Sequence, residues 1–493
     1  MSIPAAPSAP QTSNAALGGG VAVITLAKIW FVFAGYALYF GLTRLLGPER
    51  FGAYAVVLSI VSVANNVLVA AGLQTVSRFV ARDPDRASAV LRRSMFALGV
   101  VGGAIFVAVQ AGAPAIASLL RDASLVLPLR VASLIVLAYC LYAANVGFLN
   151  GRRRFKHQAG LDMLFSTLKL TLVLGAVAAG LGVTGAVGGF ALAAFLVLGV
   201  SAILVRAALR PDAETLSHRE MLQFGGWLLG LTLVINLSLS ADLWIVKRMS
   251  DPSGANVQAG LYRAGLTLSQ LLYQLLIPLS LVLFPSLSRL GASADAHAAR
   301  ALMRSALRYL SLTVLPAAAV LGVTGTALIA LLYGAPYREG GAWLAVLAPA
   351  YALLSAAYLL ATALSGAGHP ARGVAIVSTA LVVQVVAGAA LFPRFGPLGA
   401  AAGDLIGNAA GLALGLVLVR RRFGAVLPWP TLARASVLAA ALAGVALAWR
   451  AEGFALLVQF IVLGALALAF LLRTREIAGI RSLVPARARK VSR

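Results

Sequence analysis

The sequence predicts an all-α integral membrane protein of about fourteen transmembrane helices, and three observations carry that prediction. The 493 residues are 61% hydrophobic and only 11% charged, with a mean hydropathy of +0.93. Soluble domains carry about a quarter charged residues, so this chain cannot cover a water-facing surface. Its apolar runs continue for about twenty residues without the alternation of a barrel strand, the length a helix needs to cross ~30 Å of hydrocarbon. Lys and Arg recur in the short segments between the runs, as they do at the ends of membrane helices.

The spans are expected near residues 18–45, 52–77, 93–113, 125–149, 158–180 and 184–205. A second set falls near 221–247, 257–285, 305–332, 341–365, 371–392 and 397–419, and a last pair near 431–449 and 453–472. Residues 1–17 are rich in Pro, Ser and Ala and carry no basic residue. They read as a disordered tail rather than a cleavable signal, which needs a positive start. Pro114 is expected to end the third span, with an amphipathic stretch at 115–124, and residues 474–493 form a basic tail. No connection is long enough for a soluble catalytic domain.

Charge gives the spans a direction. Strict alternation puts 28 of the 40 Lys and Arg on the side of the termini, nine on the other, and leaves Lys28, Lys169 and Arg263 inside spans. That bias marks the Arg-rich loops and both termini as cytoplasmic. It also accounts for the net charge of +25, so no nucleic-acid partner is implied. Cys140 is the single cysteine and falls in an apolar run, where it reads as a small core residue. The four histidines form no metal-ligand pair and no G-x-x-x-x-G-K-[S/T] occurs. No metal, cofactor or catalytic group is therefore assigned.

An internal repeat divides the chain. Gly182, Gly185 and Gly189 match Gly396, Gly399 and Gly403, and Val205-Arg206 matches Val419-Arg420, all at an offset of 214. Leu149-Asn150-Gly151 is similar to Leu364-Ser365-Gly366 at an offset of 215, and Gly52-Ala53-Tyr54 to Gly260-Leu261-Tyr262 at 208. The offset covers six helices, an even number, so both halves enter from the same side in a parallel pseudo-two-fold repeat. The expected organisation is an N-lobe over 18–210, a C-lobe over 217–423 and an extra helix pair over 431–473. Two such lobes with a cleft between them suggest a transporter.

The stretch TRLLGPERFGAY (Thr43 to Tyr54), then Ala71-Gly72-Leu73 and Arg78, resembles the start of polysaccharide-transport proteins. These belong to the multidrug/oligosaccharidyl-lipid/polysaccharide exporter superfamily. Asp242, then Gly260-Leu261-Tyr262, then Phe284-Pro285-Ser286-Leu287-Ser288 agree in order and spacing. The resemblance implies a flippase, not an enzyme, in the bacterial cytoplasmic (inner) membrane. It implies an undecaprenyl-pyrophosphate-linked oligosaccharide as cargo, moved from the cytoplasmic to the periplasmic leaflet for O-antigen, exopolysaccharide or capsule. Membrane lipids and the polysaccharide polymerase and chain-length machinery are the partners to be expected. A peptidoglycan-precursor flippase and a cation-coupled multidrug exporter of the same superfamily are the alternatives. A membrane-embedded polymerase would present a sizeable outer loop, and the outer loops here reach only about a dozen residues on these boundaries.

Charges inside spans cost roughly 2.5–3.5 kcal/mol, so each asks for a partner or a wet cavity. Lys28 shares a helical face with Phe31, Gly35 and Tyr39, suited to a pyrophosphate and stacked sugars, or else is a snorkelling or ion-paired lysine. Arg263, Thr267, Gln270 and Gln274 step by four, three and four, a polar stripe that faces a cavity or an interhelical network. Asn66, on one arc with Ser59 and Ser62, contacts substrate or glues helices together. Arg78 ends its span as a cavity residue or a boundary charge. Asp242 and Asp404, the acids deepest in spans, could bind and release H+ or Na+. Asp242 could equally pair with Lys247 or Arg248.

Overall fold

The protein, a computed structural model, is described over residues 14–206, 218–276, 296–424 and 426–474; the side chains of 14–26, 28, 218–228 and 296 lie outside that description. The expected tails over 1–13 and 475–493, the end of the eighth span and Phe284–Ser288 also lie outside the described residues. No strand occurs among the described residues. The long helices are α1 (Asn14–Arg82), α2 (Ala87–Leu119), α3 (Val126–Gly151), α4 (Phe155–Ala178), α5 (Gly182–Arg206), α6 (His218–Met249) and α7 (Ala255–Gln274). They continue as α8 (Ala296–Tyr333), α9 (Leu344–Gly366), α10 (Pro370–Phe395), α11 (Pro397–Phe423), α12 (Trp429–Trp449) and α13 (Ala455–Arg473).

Twelve helices among the described residues are long and apolar enough to cross a membrane. The longest, Ile29–Arg82, has 54 residues, about 80 Å of helix against a ~30 Å hydrocarbon layer. It crosses twice because Gly47 leaves helical geometry (φ 69°, ψ 173°) immediately before Pro48. Glycine reaches that positive φ without a side-chain clash, and proline cannot donate across the break. The same Gly-Pro device separates α10 from α11 at Gly396 (φ 57°) and Pro397. α7 is absent from the twelve because Arg263, Gln270 and Gln274 lower its apolarity. It is nevertheless largely buried, with Tyr262, Ala264 and Leu266 fully sealed by protein. The two arms of α1 and α7 complete the expected fourteen. One local expectation fails: α2 runs through Pro114 without ending, since losing one backbone bond does not by itself end a membrane helix.

The described residues cluster into two units. One draws on 1–41, 68–108 and 133–225. Its centre is aromatic: Tyr139 packs edge-on against Tyr142, Phe165 and Phe190 with centroids 5.7, 5.2 and 6.1 Å apart. Gly189 lets α5 approach α4 so closely that a methyl there would meet the Leu172 carbonyl oxygen at 2.6 Å.

The other unit draws on 42–67, 109–132 and 226–493. In it α9 packs against α7, α8, α10 and α11, and α10 lies along α11. α12 packs on α8 around Val320, Leu438, Leu442, Ala446 and Leu463. The short segments from the first half are held here by backbone proximity. Gly52 and Gly260, partners in the sequence repeat, touch each other. A methyl on Gly52 would meet the Gly260 nitrogen at 2.7 Å, and one on Gly260 the Gly52 nitrogen at 3.1 Å. Tyr337 caps the same region, donating its hydroxyl to the Thr43 carbonyl at 3.2 Å.

Candidate functional site

The chemistry of the second unit centres on α6, α7 and α11. Asp242 is wholly buried and Asp404 is 1% exposed, and their carboxyls are hydrogen-bonded to each other. Asp242 Oδ1 accepts from the Leu243 amide at 2.8 Å, and Oδ2 from the Tyr262 hydroxyl at 3.2 Å. Asp404 Oδ1 has no partner among the described residues. One turn further along α11, Asn408 donates to the Ala350 carbonyl at 3.2 Å and leaves its own Oδ1 unpaired. A hydrogen bond between two carboxyls needs a proton on one of them, and two carboxylates in contact without water cannot both stay charged. The arrangement is suited to holding a proton or a cation, and its two orphaned oxygens offer further acceptors.

Local sequence explains how α11 reaches this place. Gly403 and Gly407 flank Asp404, and a methyl on either would strike α10, with Gln384 O and Ala380 O at 2.8 and 2.5 Å. Those small residues bring Asp404 inward. Gln384 is itself consumed by Ser238, accepting from its hydroxyl at 2.7 Å and donating to its carbonyl at 2.8 Å. That leaves the carboxyl pair without competition from the neighbouring amide.

The polar stripe on α7 divides along its length. Arg263 is half-buried, and its charge acts on Asp242 and on Tyr351. Thr267 is buried and turned back onto the Arg263 carbonyl at 2.9 Å. Gln270 hydrogen-bonds the buried Tyr351, and of the four only Gln274 is exposed. Asn66 is exposed and donates to Asn236 Oδ1 at 2.8 Å in this same unit. Arg78 is exposed in the other unit. Lys28 lies in α1 with its side chain outside the described residues.

The alternative that Asp242 pairs with Lys247 or Arg248 is not realised. Lys247, five residues on, belongs instead to a network at the end of the span. Its ammonium donates to Asp122 Oδ2 at 2.8 Å and to Asn256 Oδ1 at 2.7 Å. Asn256 donates to the same Asp122 oxygen at 2.8 Å. Asp122 Oδ1 takes the Ser124 amide and hydroxyl at 3.1 and 2.6 Å. Burial alone would raise the Asp122 carboxyl, but hydrogen bonds from Lys247, Ser124 and Asn256, together with the lysine charge, outweigh it and hold it at about 2. This latch joins a first-half turn to α6 and α7. Sequence reasoning missed it because Asp122 and Lys247 are far apart in the chain and share no repeat position.

In the first unit the only intramembrane cation with a described side chain, Lys169, sits 3.9 Å from the Phe190 ring centroid, a cation–π contact rather than an ion pair.

The sequence model of the family described as "polysaccharide biosynthesis protein" matches residues 42–340. The chain belongs to that family. Its resemblance to polysaccharide-transport proteins is thus supported by a match over more than half of the chain, while no curated protein matches it. Among solved structures, the chain is similar to a lipid II flippase, MurJ, in an inward closed conformation. The TM-score is 0.75 at 14% identity, covering 92% of this chain and 99% of that one. An outward-facing multidrug resistance MATE transporter of the MOP superfamily gives 0.60 at 18% identity, covering 83% and 96%. A MOP superfamily transporter from Pyrococcus furiosus, described by the reversed polarity of its binding pocket, gives 0.60 at 17%, again covering 83% and 96%. At these identities the likeness is one of fold alone.

Proposed function

We propose that the protein flips an undecaprenyl-pyrophosphate-linked oligosaccharide from the cytoplasmic to the periplasmic leaflet of a bacterial inner membrane, for surface polysaccharide synthesis. The observation that carries this reading is the family match over residues 42–340 in a chain with a transporter fold. The two lobes, 18–210 and 217–423, alternate in access. Lys28 and Arg263 supply positive charge to the pyrophosphate, which lowers the cost of carrying it through an apolar layer. Asp242 and Asp404 exchange H+ or Na+ as access alternates, and the orphaned Asp404 Oδ1 supports that role. Polymerase and chain-length proteins take up the product at the outer leaflet.

The test is reconstitution in liposomes with a lipid-linked oligosaccharide, scored by attack of an impermeant glycosidase under an imposed H+ or Na+ gradient. Gradient-dependent exposure of the glycan is expected, and exposure equal to empty liposomes sinks the reading. A second reading, transport of a peptidoglycan lipid precursor, is favoured by one observation: the higher TM-score to the lipid II flippase, 0.75 against 0.60 for the multidrug transporters. The same vesicles loaded with that precursor, and rescue of a strain depleted of its own precursor flippase, separate the two.

A further inference from the structure

A groove in the second unit has an apolar floor and one cation at its edge. Leu237, Ala241, Trp244 and Arg248 follow one another along α6 at steps of four, three and four, which makes a single stripe. That stripe, Leu119 and Leu120 at the end of α2, and Val382 and Val385 on α10 enclose a cavity of about 520 Å3. Every lining side chain except Arg248 is aliphatic, aromatic or a thioether. Val382 and Val386 are 61% and 64% exposed, so the groove opens on the face that lipid covers.

Arg248 is half-buried and has no hydrogen-bond or ion-pair partner among the described residues. Its neighbour Lys247 occupies Asp122 and Asn256, and Asp251, three residues on, is exposed and accepts from the Ser253 amide and hydroxyl, so neither acid is paired with the guanidinium among the described residues. An arginine in that position, at the end of a membrane span, is completed by an anion from the interface. The guanidinium fork fits phosphate oxygens. A single cation also matches the single negative charge of a phosphodiester headgroup.

We infer that this groove is a binding site for one anionic phospholipid of the bilayer, with an acyl chain along Trp244 and Val385 and the phosphate on Arg248. The site is assembled partly from Leu119 and Leu120, next to Asp122 of the latch. A lipid that fills it binds the latched arrangement better than one in which that turn has left α6, and therefore biases the equilibrium toward the latched state. The lipid acts as a regulator, separate from any transported cargo.

The experiment is native mass spectrometry of the full chain purified in mild detergent and titrated with phosphatidylglycerol, with diacylglycerol as the headgroup-free probe. Wild type is expected to retain one phosphatidylglycerol and to bind diacylglycerol at least tenfold more weakly. R248A loses the preference for the phosphate lipid, and V385W, which fills the floor, loses both. R248K keeps part of it. R394A, which removes an exposed arginine at the same side of the membrane, is the control and retains the lipid. Thermal unfolding of each variant establishes that it is folded. Unchanged retention by R248A, or equal loss from R394A, overturns the assignment. So does equal binding of the two lipids by wild type. None of these outcomes bears on which cargo is flipped.

Discussion

Asp242 and Lys247 lie on one helix, little more than a turn apart, with 0% and 2% of their surface exposed, yet they are satisfied in opposite ways. Lys247 meets a carboxylate and an amide oxygen, and Asp122 is completed in turn by Ser124 and Asn256. Asp242 meets another acid, Asp404, which still has an unpaired oxygen. The first arrangement is closed: opposite charges, donors and acceptors matched, nothing to gain by changing. The second brings two acids together, an arrangement that a proton or a cation between them relieves. The contrast separates an ion pair that holds a conformation from a pair of acids suited to changing state.

The repeat shows the same division between halves. Gly189 and Gly403 occupy equivalent positions, and each brings its helix against a neighbour through the same lack of a side chain. The next residue differs: Phe190 receives the Lys169 ammonium on its ring, whereas Asp404 faces Asp242. The halves share a frame and differ in the charge that the frame encloses.

The largest expected effect comes from breaking the closed pair. K247M leaves Asp122 and Asn256 aimed at a methyl group, and removing one partner of a buried pair costs about 3–5 kcal/mol. Chemical denaturation in detergent should show that loss, and the double variant K247M/D122L should recover most of it. If K247M is as stable as wild type, the latch holds nothing together.

Next is the acid pair. D242N and D404N keep the shape and remove the exchangeable charge. Gradient-driven flipping is expected to fall about a hundredfold, the upper part of the usual range for coupling energies, while denaturation midpoints stay at or above wild type. Transport that still follows the gradient in both variants would deny the pair its coupling role. The counterpart in the first half should behave differently. K169M removes a cation–π contact worth about 0.5–2 kcal/mol and is expected to lower stability by that amount with the gradient response intact. Loss of coupling in K169M would mean that the two halves are not divided in this way.

Much of this is legible in the sequence alone. Run length and charge position predicted the spans and their number, and the glycine repeat picked out Gly52 and Gly260, which proved to touch. Periodicity also put Arg263, Thr267 and Gln270 on one stripe, although Thr267 spends its hydroxyl on its own helix. What could not be read was pairing between helices distant in sequence. Asp242 with Asp404, and Lys247 with Asp122, depend on how α6 meets α11 and the turn after α2, and no spacing rule encodes that. Pro114 misled for a different reason: propensity favours a break there, but the loss of one backbone bond does not end an apolar membrane helix.

The smallest expected effect is a null one, and it tests the closed pair in another way. The Asp122 carboxyl is held at about 2 against an ordinary value of 3.8. A carboxyl lowered on folding contributes stability that is fully present above its unfolded value and is lost as pH falls through the folded one. From pH 5 to pH 8 both states of Asp122 are ionised, so its contribution is constant there. The difference in denaturation midpoint between wild type and D122N should therefore be the same at pH 5, 6.5 and 8. A difference that shrinks toward pH 5 would mean that Asp122 takes up a proton in that range. The latch would then be a pH-sensitive contact, and its contrast with Asp242 and Asp404 would fail.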